Sequence, residues 1–339
     1  MIDRSVAYRA LSIQSHMVSG YCGNKAAVFP LQILGFDVDV LNTVQFSNHT
    51  GYPSWTGNRL ADTDVQELFD GLEKNGLIDD YTHILTGYIG NYAILDTIKR
   101  FVLKLKSVNP NLIYVCDPVM GDWGRLYVAP EIVPLYRNIL QVANVVTPNQ
   151  FEAEILADIK IDSLVTAKEA AKKLHFLGVS NVIITTLKVP FKDVPSEIRL
   201  PTATDESLYC LTSQTDPQTG SPRQHLIVFP TYRGYFSGTG DMFTALVVAR
   251  WQEELKKSSP SLAAATKLVV MSVNAVTRRT WENQVKHVKK LTNGEVEYLD
   301  GKPSTPALVR CCELQMVQSK LEIEKPEMVG ETAIKMTQL

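Results

Sequence analysis

Several features are scarce or missing in this chain. No run approaches the ~18 uncharged apolar residues of a membrane-spanning helix, so a membrane role is not expected. Neither sign of charge dominates: 34 Lys and Arg stand against 36 Asp and Glu, a formal net charge of −2. That balance lacks the electrostatic footprint of a nucleic-acid or membrane-surface binder. Cysteine is rare. Cys22, Cys116, Cys210, Cys311 and Cys312 make an odd number and show no metal-ligand spacing, which predicts reduced thiols in a cytoplasmic chain. Residues 1–9 have no apolar core of a secretion signal and carry an early acid, Asp3, in keeping with that compartment. Asn48-His49-Thr50 matches a glycosylation acceptor but lacks a secretory context. No internal repeat and no long linker divides the sequence, so one domain over residues 1–339 is expected.

What remains is a globular composition, 45% apolar and 21% charged, with ample material for a core. Short apolar runs alternate with helical patterns. Strands are predicted at Arg9–Ser15, Val38–Phe46, His83–Tyr88, Leu112–Asp117, Val142–Val146 and Val182–Thr186. Helices are predicted between them, at Lys25–Leu34, Asp62–Leu72, Ala93–Leu105, Phe151–Leu156 and Ala167–Leu177. Apolar strands alternating with helices imply an α/β fold with a mostly parallel sheet covered on both faces. Residues 188–235 read as a variable β and loop excursion with short strands at Leu208–Leu211 and Leu226–Phe229. Further helices are expected at Met242–Trp251, Leu262–Thr280 and Ala307–Val317. Residues 320–339 are charged and read as a loose tail.

The chain is organised around Gly238-Thr239-Gly240-Asp241, followed by a long apolar helix. The first turn of a helix has amides without intrahelical partners and favours negative charge. Glycine lets an anion approach the backbone closely. Gly238, Thr239 and Gly240 can therefore form an anion hole with Asp241 beside it, and a helix N-terminus is expected to lower that carboxylate's pKa. Polar residues also gather at the predicted carboxyl ends of strands: Ser15, Thr86, Asp117, Thr147 and Thr185. Ligands bind at that edge of open α/β sheets. Asp117 and Asp122 flank a proline turn and suit Mg²⁺, which is commonly held by one or two carboxylates, waters and substrate phosphates. Asn149 and Glu152 read equally as a helix cap and its capping acid. Ser15-His16, Asn48–Tyr52 and Thr86-Gly87-Tyr88 could recognise a small heteroaromatic ring. Taken alone, His16 and His49 read as ordinary loop or core histidines, and Cys22 and Cys116 as small core residues.

Together the stretches Ser12–His16, Gly20–Ala27, Phe29–Gln32, Val44–Tyr52, Asp117–Asp122, Thr147–Glu154 and Gly238–Asp241 resemble pyridoxal kinases of the ribokinase-like superfamily, in the same order from about Leu11 to about Lys320. The resemblance implies a three-layer α/β/α sandwich and ATP-dependent phosphorylation of pyridoxal, pyridoxine and pyridoxamine. It implies Asp241 as the base and Gly238, Thr239 and Gly240 as the anion hole. Ser15, Thr50 and Tyr88 would hold the pyridine. Asp122, Asn149 and Glu152 would lie near the nucleotide phosphates, with Asp122 and Glu152 toward Mg²⁺. Asp117, Thr147 and Thr185 would hold K⁺, and Tyr127 and Thr186 would approach ATP. A homodimer is implied, with strands near Asp39 to Gln45 at its interface. This chain departs from the pattern in a short loop between Asp122 and Tyr127, at Thr186-Leu187-Lys188, and over Phe229–Tyr235. Another ribokinase-like kinase, acting on hydroxymethylpyrimidine or a sugar, and a non-catalytic vitamer-binding protein are the alternatives.

Overall fold

The structure, a computed structural model, describes residues 8–122, 124–294, 299, 301–329 and 333–339. The elements in chain order are β1 (Tyr8–Met17), α1 (Asn24–Ile33), β2 (Phe36–Phe46), β3 (Gly57–Arg59), α2 (Asp62–Lys74), β4 (His83–Thr86), α3 (Tyr92–Val108) and β5 (Ile113–Cys116). A small hairpin follows, β6 (Gly121–Asp122) and β7 (Arg125–Leu126), and then α4 (Ile132–Leu140), β8 (Val145–Val146), α5 (Gln150–Ala157), α6 (Leu164–Phe176) and β9 (Asn181–Leu187). The remainder is β10 (Tyr209–Thr215), β11 (Pro222–Val228), α7 (Thr239–Leu255), α8 (Leu262–Leu291), α9 (Pro306–Cys311), α10 (Lys320–Glu324), α11 (Pro326–Val329) and β12 (Lys335–Gln338).

Among the described residues, ten strands form one sheet in the order β12-β11-β10-β9-β8-β5-β4-β1-β2-β3. The six central strands β9, β8, β5, β4, β1 and β2 are parallel. Antiparallel strands extend both edges. Helices α2 to α6 cover one face through Phe69, Leu95, Ile98, Leu135, Leu156 and Ala170. Helices α1, α7 and α8 cover the other through Ala26, Leu31, Leu246, Val248 and Val269. Strands buried on both faces must be apolar throughout, which is why the central strands read as continuous hydrophobic runs.

The expected α/β sandwich is thus found, with corrections. Strand β8 is two residues long, because Val142 and Ala143 instead close the exit turn of α4 by donating to Ile139 O and Leu140 O at 3.0 and 3.2 Å. Helix α8 runs on to Leu291, and the helix expected from Ala307 stops at Cys311. The described parts of the charged C-terminus, 320–329 and 333–339, are not loose. Strand β12 pairs with β11, Leu226 opposite Thr337. Upstream, Arg250 donates to Ile323 O and Glu324 O at 2.9 and 3.1 Å, and Arg279 pairs with Glu322. Only Met336 of β12 is apolar and none of its residues is buried, so no hydrophobic pattern marks this edge strand in the sequence.

Candidate active site

The parallel strands end at one edge of the sheet, and α7 starts there. Gly238 precedes it with φ +81°, and a Cβ at this position would lie 1.9 Å from Tyr21 O, so only glycine fits. Among the described residues no side chain caps α7. Its first amides are left for another acceptor. Gly240 is exposed, and a Cβ there would meet only Asp117 Oδ2 at 3.8 Å, an ordinary contact. The protein itself does not require glycine at 240; a ligand lying close to the backbone would.

Asp241 stands in the first turn of α7, and its Oδ2 accepts a hydrogen bond from Gly23 N at 2.8 Å. Burial raises its carboxyl pKa, and the Gly23 amide offsets part of that rise. This corrects the expectation of a lowered value: desolvation outweighs the helix end.

One wall of the site is acidic. Asp117 follows β5 and is buried; Thr244 of α7 donates to its Oδ2 at 3.2 Å and shares a hydrogen bond of 2.9 Å with Thr147. Burial, then the charges of Glu152 and Asp241, hold Asp117 well above the usual carboxylate range. Glu152 is also buried. Its Oε2 accepts from Asn149 N at 2.9 Å, and its Oε1 from Met120 N and Gly121 N at 2.9 and 3.4 Å. Burial nevertheless pushes its pKa up to about 8. Asn149 completes the capping box, accepting from Glu152 N and donating to Gly121 O. The helix-cap reading of this pair is therefore realised, at a place that also faces the cavity.

The opposite wall is aromatic and apolar, with Met17, Val44, Phe46, His49 and Tyr88 beside Ser15 and Thr50. His49 Nδ1 accepts from Gly51 N at 3.1 Å, so Nε2 carries the proton and points to Glu313 Oε1 at 3.3 Å. Glu313 also accepts from Tyr52 Oη at 2.9 Å and from Tyr21 N at 3.0 Å.

Between the walls lies a cavity of about 1100 Å³. Ser15, Thr50, Tyr88, Asp117, Asp122, Tyr127, Thr147, Asn149, Glu152, Thr185, Gly238, Thr239, Gly240 and Asp241 all line it. Thr186 does not; it is exposed on β9, while Thr185 points its hydroxyl toward Pro148 O at 3.4 Å. Tyr127 stands at the rim, 59% exposed. Thr86 turns inward to Tyr114 Oη at 2.8 Å. Sequence reasoning missed Thr244 and Glu313, and discounted His49. It also left Phe229–Tyr235 unassigned, yet Thr231 to Tyr235 line the cavity. Thr244 lies one helical turn after Gly240 on the same helix, a signal that could have been used. Glu313 offered none.

Comparison with known proteins agrees with this geometry. A pyridoxal kinase of Arabidopsis thaliana is 41% identical over 94% of this chain and 92% of its own length. The chain belongs to the pyridoxal kinase family. The human pyridoxal kinase is 38% identical over 96% of this chain and 98% of its own. The solved pyridoxal kinase from Leishmania donovani in complex with ADP and pyridoxamine superimposes with a TM-score of 0.79 at 34% identity, covering 98% of this chain and 99% of that one. The sandwich is therefore the ribokinase-like fold of this family. A family model described as phosphomethylpyrimidine kinase matches residues 76–280. That span holds the acidic wall and Asp241 but neither Ser12–His16 nor Asn48–Tyr52. Of the aromatic wall, Tyr88 lies inside that span, whereas Ser15, Met17, Val44, Phe46, His49 and Thr50 lie outside it.

Proposed function

We propose that this chain transfers the γ-phosphoryl group of ATP to the 5′-hydroxymethyl group of pyridoxal, pyridoxine and pyridoxamine. The observation that carries the reading is Asp241, set beside the open amides of α7 and tied to Gly23 between an acidic and an aromatic wall. The phosphoryl-transfer transition state spreads charge over its equatorial oxygens, so the protein's work is positioning and charge stabilisation. The amides of Gly238, Thr239 and Gly240 receive that charge. Asp241 accepts the proton of the attacking hydroxyl, and its raised pKa brings it closer to the working pH than an exposed aspartate. Ser15, Thr50 and Tyr88 hold the pyridine, with His49 beside them.

The acidic wall suits hard cations. Among the described residues no group of three or more His, Cys, Asp or Glu converges as a ready-made metal cage. A divalent ion would therefore share its coordination with substrate phosphates and water, toward Asp122 and Glu152. Glu152 already accepts three backbone amides, so it acts by charge and through water. Mg²⁺ would neutralise the β- and γ-phosphate oxygens. Asp117, Thr147 and Thr185 offer oxygens suited to K⁺, and Asp122, Asn149 and Tyr127 lie toward the nucleotide.

Residues 1–339 are read as one catalytic domain acting as a homodimer in the cytoplasm. Strand β3 covers only Val44–Phe46 of β2, and Val40 is 47% exposed on the uncovered part, which supports an interface near Asp39–Gln45. All five cysteines are free and buried. No described helix is long and apolar enough to cross a membrane. Light scattering of the purified chain tests the dimer, and a monomer at micromolar concentration would refute it.

A second reading, a hydroxymethylpyrimidine kinase, is favoured by the family model over residues 76–280. One experiment decides among the readings: ATP consumption with pyridoxal, pyridoxine, pyridoxamine and hydroxymethylpyrimidine. Turnover of the pyrimidine alone would replace the first reading, and no turnover would leave a vitamer-binding protein.

A further inference from the structure

Beyond the residues that line the cavity, one partly buried carboxylate joins pieces of its aromatic wall. Strands β1 and β2 stay paired past their ends as far as Ser19 N donating to Ser47 O at 2.9 Å. There the two segments diverge, one toward Gly23 and the other toward Tyr52. Glu313, on the far side of the sequence after α9, enters between them. Its Oε2 takes the Tyr21 amide at 3.0 Å, and its Oε1 takes Tyr52 Oη at 2.9 Å and faces His49 Nε2 at 3.3 Å. The fit is close: a Cβ on Gly20 would lie 2.6 Å from both carboxylate oxygens.

We infer that Glu313 is a positioning residue for the vitamer: it fixes the β1–α1 turn and the 49–52 loop to each other and so sets the shape of the aromatic wall. This inference rests on the proposed function. Two consequences follow from the geometry. First, the Tyr21–Gly23 turn that Glu313 holds also supplies the amide on Asp241, so wall and base are registered through three residues. Second, the imidazole of His49 is fixed at both nitrogens, by Gly51 N and by Glu313, which leaves its orientation no freedom. Three donors outweigh burial and hold the Glu313 carboxyl below the usual range, so it stays charged as an acceptor. Glu313 touches none of the acidic wall's residues in these contacts. Its loss should act on vitamer recognition and leave nucleotide recognition alone.

The test is steady-state kinetics of Glu313→Ala, Glu313→Gln and Tyr52→Phe beside the wild-type chain, varying pyridoxal and ATP separately, with thermal midpoints of each. Removing an acceptor that serves three donors should raise the pyridoxal KM by roughly 10- to 100-fold, with the ATP KM within about twofold of wild type. Glu313→Gln keeps one acceptor oxygen, and Tyr52→Phe removes one donor, so each should give a rise of roughly 3- to 10-fold. A purely structural role predicts something else: a lower midpoint and a smaller active fraction, with both KM values unchanged. That result, or an equal rise in both KM values, overturns the inference. Should Glu313→Ala fail to fold, the other two variants decide, and unchanged pyridoxal KM in both overturns it. A wild-type chain that turns over no pyridoxal would overturn the proposed function and this inference with it, whereas normal wild-type turnover with unchanged variants overturns the inference alone.

Discussion

The two walls of the cavity are built in opposite ways. The acidic wall is local. Glu152 is held by amides of Asn149, Met120 and Gly121, and Asn149 returns the bond to Gly121 O, all within 32 residues. The aromatic wall is assembled from the extremes of the chain: Glu313 meets Tyr21 across 292 residues and Tyr52 across 261. Their electrostatics differ too. Burial and neighbouring acids raise Asp117 and Glu152, whereas three donors outweigh burial and lower Glu313. The acidic wall therefore resists ionising and gains when a cation arrives, while Glu313 behind the aromatic wall has its donors before any ligand binds. Local hydrogen bonds make a chemistry that many substrates can share, and long-range ones shape the pocket for one class.

Asp241 stands between the walls, and replacing it gives the largest expected effect. Asp241→Asn keeps the shape and an oxygen for the Gly23 amide but cannot accept the proton. A positioned base contributes roughly 10²–10⁴-fold, so kcat should fall by that order. The stability effect has the opposite sign. An acid whose folded pKa is raised above its unfolded value favours folding below the unfolded value and loses that contribution as pH rises through the folded one. At neutral pH the ionised Asp241 is thus a cost, and the Asn variant should melt no lower than wild type. For the same reason the acid limb of kcat/KM should lie above the ordinary aspartate range and vanish in the variant. A variant keeping more than about a third of wild-type kcat would falsify the base assignment.

The two glycines of the anion hole sharpen the contrast between demands of the fold and demands of the ligand. Gly238→Ala places a methyl against Tyr21 O at a positive φ, which should destabilise by about 1–3 kcal/mol or more. Gly240→Ala meets only an ordinary contact, so its urea midpoint should stay near wild type. Under the proposed function its methyl would crowd the transferred phosphoryl group, and kcat should drop by roughly 10²-fold, the scale of a lost anion-hole donor. Equal midpoints for the two variants, or a fully active Gly240→Ala, would break this division.

How much could be read before the structure follows from the same division. The parallel sheet was legible because strands buried on both faces must be apolar, and Asp117, Thr147 and Thr185 were legible as polar residues closing such runs. The Asn149–Glu152 box and the Gly238–Asp241 turn carry their signals in four consecutive residues. The pKa of Asp241 was misjudged, because a helix end is visible in sequence and the desolvation around it is not. Strand β12 was hidden because it is four residues long and only Met336 in it is apolar. Glu313 was invisible, because nothing near Cys312 or Leu314 states that the segment returns to Tyr21 and Tyr52. The cavity lining at Thr231–Tyr235 was beyond reach of local pattern for the same reason.

On the aromatic wall, Thr50 tests direct recognition rather than support. It lines the cavity and is exposed, and its carbonyl already accepts from Lys302 Nζ at 2.9 Å. Thr50→Val removes the hydroxyl while keeping the shape. Losing one neutral hydrogen bond of about 0.5–1.5 kcal/mol should lower kcat/KM for pyridoxal by up to roughly tenfold, with the ATP KM unchanged. A change confined to the ATP KM would move Thr50 to the other wall.

The smallest effect belongs to the acidic wall and its monovalent cation. Asp117 sits among like charges, and among the described residues its carboxylate has one hydrogen-bond donor, the hydroxyl of Thr244 at 3.2 Å. Thr147 shares that hydroxyl at 2.9 Å, so the oxygens of Asp117, Thr147 and Thr244 form a chain open to a cation. Desolvated carboxylates that repel one another are stabilised when a positive charge enters, and hard oxygen donors suit K⁺. Activity should be higher in potassium chloride than in sodium chloride or tetramethylammonium chloride at equal ionic strength. Screening alone would act equally in all three salts, so a difference between them reports a site. Thr147→Val removes one oxygen without removing charge, and it should erase the preference while leaving the tetramethylammonium rate nearly unchanged. Equal wild-type rates in the three salts would remove Asp117, Thr147 and Thr185 as cation ligands and leave the repulsion among the buried acids to be relieved by the divalent ion and the nucleotide alone.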